Sequence, residues 1–185
     1  MITLKYCAEN LPQLLSAKQE YKNIILHEQT EVSFGWENDY NKEYCEQNNI
    51  PCYNLQRGGG TIVYSKGNVS VGFIYDNKKY KKFMLEQMMS DFKDFLSAKG
   101  INAKIDSNDL LADGFKVASV WGHNYGTNFD WTLEFAQISV NQYIQKIKNI
   151  CLKPMLKVPK GLSDYGVGTQ QVIDWVQNWL DKNTN

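Results

Sequence analysis

The chain has 185 residues, and its 20 Lys and Arg balance 20 Asp and Glu, so its formal net charge is zero. That length can bury a core without disulfides or metals, and the balanced charge excludes a global field toward nucleic acid or an anionic membrane. No apolar stretch approaches the roughly 20 residues that span a bilayer, and Cys7, Cys45, Cys52 and Cys151 form no C-x-x-C pair. The expectation is one domain over residues 1–185, cytoplasmic, with reduced thiols, no metal site and no membrane partner.

In chain order, Leu11, Leu14 and Leu15 predict a short helix within residues 10–22. Residues 23–27 and 31–35 read as two short strands able to pair, and residues 40–49 as a helix stopped by Pro51. Residues 52–55 form a strand that feeds Arg57 and three glycines. The β-rich runs 61–64 and 69–75 flank Ser-Lys-Gly-Asn, which carries the turn residues of a hairpin. Between Tyr80 and Gly100 the apolar residues keep helical spacing, predicting a helix near 82–99. Strand-like pieces follow at 101–105, 115–121 and 131–140, then a short helix carrying Tyr143, Ile144 and Ile147. Val172, Trp175, Val176, Trp179 and Leu180 make the apolar stripe of a terminal helix near 169–182. Strands with segregated helices indicate an α+β fold: a central mixed or antiparallel sheet flanked by helices.

The segment Arg57-Gly-Gly-Gly-Thr-Ile-Val-Tyr-Ser-Lys-Gly-Asn68 lies between predicted strands, whereas a P-loop or a Rossmann turn opens directly into a helix. Without Cβ atoms at Gly58, Gly59 and Gly60, backbone N–H groups can approach a phosphate or an acyl carbonyl, and Arg57 can neutralise an anion. Taken alone, a glycine-rich turn with no ligand is an equally good account. His27 and His123 lack supporting cysteine spacing for zinc. The basic run 77–82 reads as a solvated face with one tyrosine, which argues against nucleic acid. Trp175, Trp179, Met84, Met88 and Met89 read as core.

The run from Gly35 to Gly60 resembles the G-R-x-Q-N…Y-C-x-x-x-x-I-P-V-x-R-R-x-S-G-G-G-A-V pattern of lipoate-protein ligases, and continues to Gly67 and Asn68. A second block, Asn108-Asp-Leu-Leu-Ala-Asp-Gly-Phe-Lys-Val-Ala-Ser119, is similar to the N-D-[IL]-x-V-D-G-x-K-I-[SA]-G block of that family, whose lysine contacts the acyl group and adenylate phosphate. Asp130-Trp-Thr-Leu133 and Pro159-Lys-Gly-Leu162 are weaker echoes of later blocks. The departures are specific. Leu55 and its neighbours stand where the family has an arginine pair, and Arg57 stands at the ligase serine, as in octanoyltransferases. Tyr64 and Ser65 replace a histidine and an aspartate, and Phe129 and Asp130 replace paired histidines.

The resemblance implies the catalytic-domain fold of the biotin/lipoate protein ligase superfamily without a C-terminal accessory domain. It assigns catalysis to Lys116 and acyl-adenylate binding to Arg57, Gly58, Gly59, Gly60, Thr61, Tyr64, Gly67, Asn68, Asp109, Ser119 and Thr132. Lipoate or octanoate would react with ATP, with Mg²⁺ as cofactor, and the acyl group would pass to the lysine of a lipoyl domain or a glycine-cleavage H-type carrier. Two alternatives stay open. An ATP-independent octanoyltransferase would form a thioester on Cys151, with acyl carrier protein as donor and a lysine neighbour lowering the thiol pKa. A degenerate module would bind the acyl-nucleotide without turnover.

Overall fold

The computed structural model describes residues 3–35, 39–55, 60–80, 84–125 and 131–184. Helix α1 (Leu4–Ser16) starts earlier than its leucines suggested, because the Thr3 side chain accepts the Tyr6 N–H and caps it. It also ends earlier, since the backbone from Tyr21 belongs to strand β1 (Tyr21–Leu26). Strand β2 (Glu31–Phe34) does not pair with β1. It lies instead in a three-stranded sheet between β3 (Cys52–Asn54), parallel, and β4 (Ile62–Tyr64), antiparallel. The short helix α2 (Lys42–Gln47), capped by Asn41, supplies the crossover between β2 and β3.

Strands β4 and β5 (Val69–Asp76) likewise separate into different sheets. The turn between them is pinned to the end of β1: His27 N–H donates to the Asn68 carbonyl, and Gly67 N–H donates to that of His27. Gly67 takes φ +87°, a backbone region that L side chains avoid. The predicted turn therefore exists, but it carries the chain from one sheet to the other.

After helix α3 (Met84–Ala98) come β6 (Ala103–Asp106), β7 (Asp109–Ala112), β8 (Phe115–Tyr125) and β9 (Trp131–Ile138), then α4 (Ile144–Ile150) and α5 (Thr169–Asn183). Six strands form an antiparallel sheet in the order β1-β5-β9-β8-β7-β6. One face of that sheet is apolar: Val71 and Phe73 of β5, Val117 and Val120 of β8, and Ala136 and Ile138 of β9 pack under α3 and α5. Phe92, Phe95 and Trp175 cluster between those helices, and Trp179 Nε1 donates to Asp91 Oδ2 at 2.7 Å. Burying each such aromatic or aliphatic side chain stabilises the fold by roughly 1.5–3 kcal/mol.

The opposite face is covered by α1 and the small sheet. Cys7 of α1 packs on Ile25 and Phe135, Tyr64 of β4 stacks on His27 at 4.2 Å, and Gln137 Nε2 of β9 donates to the Val63 carbonyl of β4. Among the described residues, no helix is long and apolar enough to cross a membrane.

Candidate active site

Strand β7 was not anticipated as a separate element, and it positions the main charged cluster. Asp109 opens β7 and Lys116 lies near the start of β8, where a bulge lets Leu111 pair with Lys116 while Asp109 pairs with Ser119. Lys116 Nζ stands 2.8 Å from Asp109 Oδ1, with 33% of the lysine side chain exposed and 11% of the carboxylate. The segment that follows α4 lies along β8: Lys116 N–H donates to the Val158 carbonyl, and Lys160 N–H donates to that of Lys116. This strap brings Lys157 Nζ to 3.0 Å from Asp109 Oδ2 and 3.1 Å from Asp106 Oδ2. Hydrogen bonding to Asp109 and then Asp106 raises the Lys157 pKa, so Lys157 is held as a cation beside that carboxylate. Lys157 carried no sequence signal, because strap and strand are distant in the chain.

The exit of the glycine segment is fixed separately. Thr61 Oγ1 donates to Asp39 Oδ1 at 2.5 Å, Lys153 Nζ lies 3.5 Å from Asp39 Oδ2, and a Cβ at Gly60 would meet that same oxygen at 2.5 Å. Burial alone would push the Asp39 carboxyl up. Hydrogen bonds from Thr61 and the backbone, with the Lys153 charge, outweigh it and hold the group below its ordinary range. Arg57, Gly58 and Gly59 lie outside the described residues, as do Lys81, Lys82, Phe129 and Asp130.

Other predicted residues have local partners. The Asn68 side chain is buried, and its Oδ1 accepts the N–H groups of Val140 and Asn141 at 3.0 Å each, tying the β4–β5 turn to the chain after β9. Gly67 is used by its carbonyl, which accepts the hydroxyl of Thr169 at the start of α5. Tyr64 is fully buried, its hydroxyl 3.0 Å from Ser33 Oγ. Ser119 lies on the Lys116 face of the sheet. Thr132 does not join this group: it pairs with Asn124 at the far end of β8–β9, roughly 25 Å along the strand from Lys116, with its hydroxyl between the carboxamides of Asn77 and Asn124.

Cys151 ends α4, pairs with Tyr40 through an isolated bridge, and packs with Tyr40, Cys45 and Cys52 beneath the small sheet. Burial pushes its thiol pKa up and Asp39 adds to that, the reverse of the lysine-lowered thiol expected from sequence. Glu134, the one charged residue of β9, was overlooked. It is 1% exposed, accepts the Leu85 N–H at 2.9 Å at the start of α3, and is pushed up to about 7 by burial. It lines a cleft of about 260 Å³ with Glu86, Asn108 and Gly122, on the sheet face opposite Lys116.

The fold is a six-stranded antiparallel sheet that carries the Lys116–Asp109 pair, with a separate three-stranded sheet that contains β4, the strand after the glycine segment. The sequence matches the lipoyl protein ligase A/B catalytic domain over residues 23–127, more than half of the chain, and the protein belongs to that family. Solved structures agree on the fold. A bi-partite lipoate protein ligase from Thermoplasma acidophilum, studied with its E2 lipoyl domain, superposes with TM-score 0.75 at 12% identity over 99% of this chain and 81% of that one. A lipoate-protein ligase A bound with ATP gives 0.74 at 14% identity over 96% and 78%. P. falciparum LipL1 in complex with lipoate gives 0.73 at 12% identity, covering all of this chain and 60% of that one. No curated protein matches in sequence.

Proposed function

We propose that this domain activates a small carboxylic acid, of the lipoate or octanoate kind, as its acyl-adenylate and passes the acyl group to a lysine of a carrier domain. The observation that carries the reading is the Lys116–Asp109 pair, held at 2.8 Å by two strands and the strap. In the first step a carboxylate oxygen bonds to the α-phosphorus of ATP and pyrophosphate leaves. In the second, the carrier amine bonds to the acyl carbon, loses a proton, and AMP leaves. Negative charge develops on phosphate and carbonyl oxygens in both steps, and a preorganised cation lowers such barriers. Lys116 supplies that charge, Asp109 and Lys157 fix its position, and Arg57 adds a second cation from the glycine segment.

Among the described residues no group of three His, Cys, Asp or Glu side chains can hold a metal, and Asp109 is already engaged with two lysines. Asp109, the described carboxylate beside Lys116, is therefore not free to hold Mg²⁺, and no step is assigned to the ion. The carrier is a lipoyl-domain or H-type protein, in line with the E2 lipoyl domain studied with the Thermoplasma ligase. The raised Cys151 thiol and its carboxylate neighbour weigh against the thioester route. The test is octanoate- or lipoate-dependent exchange of labelled pyrophosphate into ATP. Exchange is expected in the wild type and is lost in Lys116→Ala; absence of exchange with either acid overturns the reading.

A further inference from the structure

The strap that follows α4 is anchored at both ends and bare between them. At its start Leu152 N–H donates to the Asp39 carbonyl and Lys153 Nζ lies 3.5 Å from Asp39 Oδ2, on the residue that also holds Thr61. At its end the Val158 carbonyl and the Lys160 N–H bracket Lys116, and Lys157 pairs with Asp106 and Asp109. The strap therefore runs from the exit of the glycine segment to the Lys116–Asp109 pair. Pro154 and Pro159 carry no N–H and fix φ, which favours an extended course.

Its apolar side chains are left in solvent. Leu156 is 99% exposed, Leu152 63% and Val158 48%, three large apolar residues within residues 152–158. Single exposed leucines are ordinary on a protein surface, whereas a cluster beside a reacting group marks a contact surface. Charge is just as uneven. Between Phe135 and Ser163 the sequence has five lysines and no acidic residue, in a chain whose net charge is zero. Lys153 and Lys157 meet the carboxylates named above, and Lys146 reaches Thr30 Oγ1 at 3.4 Å. Lys148 is exposed at the last turn of α4, and Lys160 lies over the rings of Phe115 and Tyr165 rather than on a carboxylate.

We infer that this strap is the docking surface for an acidic carrier domain, the one whose lysine receives the acyl group. Leu152 and Leu156 bury against an apolar spot on the carrier, and Lys148 and Lys160 face its carboxylates. The inference rests on the acyl-adenylate reading and identifies how the second substrate of that reaction is held. Leu156 is two residues from Val158, at most roughly 7 Å of chain from the carbonyl that accepts the Lys116 N–H, so a carrier seated there presents its lysine next to Lys116. Apolar anchors supply the affinity of such a contact, and the surrounding charge supplies orientation and encounter rate.

The test follows wild type, the double variant Leu152→Ala/Leu156→Ala, and Lys148→Glu through three readouts. These are acid-dependent ATP–pyrophosphate exchange without carrier, the KM for a lipoyl domain of net negative charge in octanoyl transfer, and direct calorimetric binding of that domain. The double variant is expected to raise KM and weaken binding at least about tenfold while exchange is unchanged. Lys148→Glu is expected to weaken binding and to make it less sensitive to salt. All three substituted side chains are exposed, and thermal melts check that each variant folds. A fall in exchange in the double variant assigns the strap to the nucleotide and overturns the inference. Unchanged KM and binding in both variants overturn it as well, as does a wild type that does not bind the lipoyl domain or that self-associates through these leucines. A wild type that binds the domain through the leucines but exchanges no pyrophosphate overturns the acyl-adenylate reading alone.

Discussion

Lys116 and Asp109 make the most local prediction. Lys116→Ala should lower acid-dependent pyrophosphate exchange by about 10²- to 10³-fold, the scale of losing one electrostatic contact to developing charge, with little change in melting temperature because Lys157 still pairs with Asp109. Glu134 makes a second. Its carboxyl is ordinarily near 4.5 and is pushed up to about 7 in the fold, so its contribution to stability is complete below about pH 4.5 and is lost as pH rises through 7, on the order of 3 kcal/mol. Glu134→Gln keeps an acceptor for the Leu85 N–H and should flatten the fall in melting temperature between pH 5 and pH 8; an unchanged slope in thermal melts would place the titration elsewhere. At this scale the sequence carried Lys116, Asp109 and Ser119 through the resemblance of residues 108–119. Glu134 left only a weak trace, the single charge of β9, whose partner is the buried Leu85 N–H at the start of α3 on the same sheet face. Lys157 left none, because its partners are set by tertiary pairing of the strap.

The strap after α4 is the element on which the site depends. Gly161 sits where a Cβ would meet the Val140 carbonyl at 2.5 Å and Asn141 Cα at 3.1 Å, backbone atoms that cannot swing aside. Gly161→Ala should therefore cost about 2 kcal/mol by denaturant titration and displace Lys157 and Lys160 from β8. Lys157→Ala removes that lysine's two ion pairs while leaving the strap-to-strand backbone bonds. Faster hydrogen exchange at the Lys116 and Lys160 amides is expected, with α3 and α5 unchanged; equal protection in variant and wild type would mean that the ion pairs do not hold the strap. Helices α3 and α5 were legible because a stripe at helical spacing is a property of consecutive residues. The pairings of β1, β2, β4 and β5 were not, since two adjacent strands joined by turn residues can pair with each other or part into two sheets. Packing of Tyr64 on His27 and of α1 on Phe135 decides that choice, and neither contact is local in sequence. Strand β7 is four residues long and too short to show an alternation of its own.

Across the whole molecule, α3 and α5 stabilise one face of the six-stranded sheet, and α1 with the small sheet covers the other. The α+β class was readable from composition and periodicity, and the family from two motif blocks, while the alignment of Asp109, Ser119, Gln137 and Ser70 across four strands emerges only from strand register. The most direct measurement is intact-mass analysis of a lipoyl domain and of this chain after incubation with ATP and either octanoate or lipoate. Acylation of the lipoyl-domain lysine, with AMP and pyrophosphate as coproducts and loss of both in Lys116→Ala, is the predicted result. Acylation of Cys151 from acyl carrier protein without AMP would contradict it.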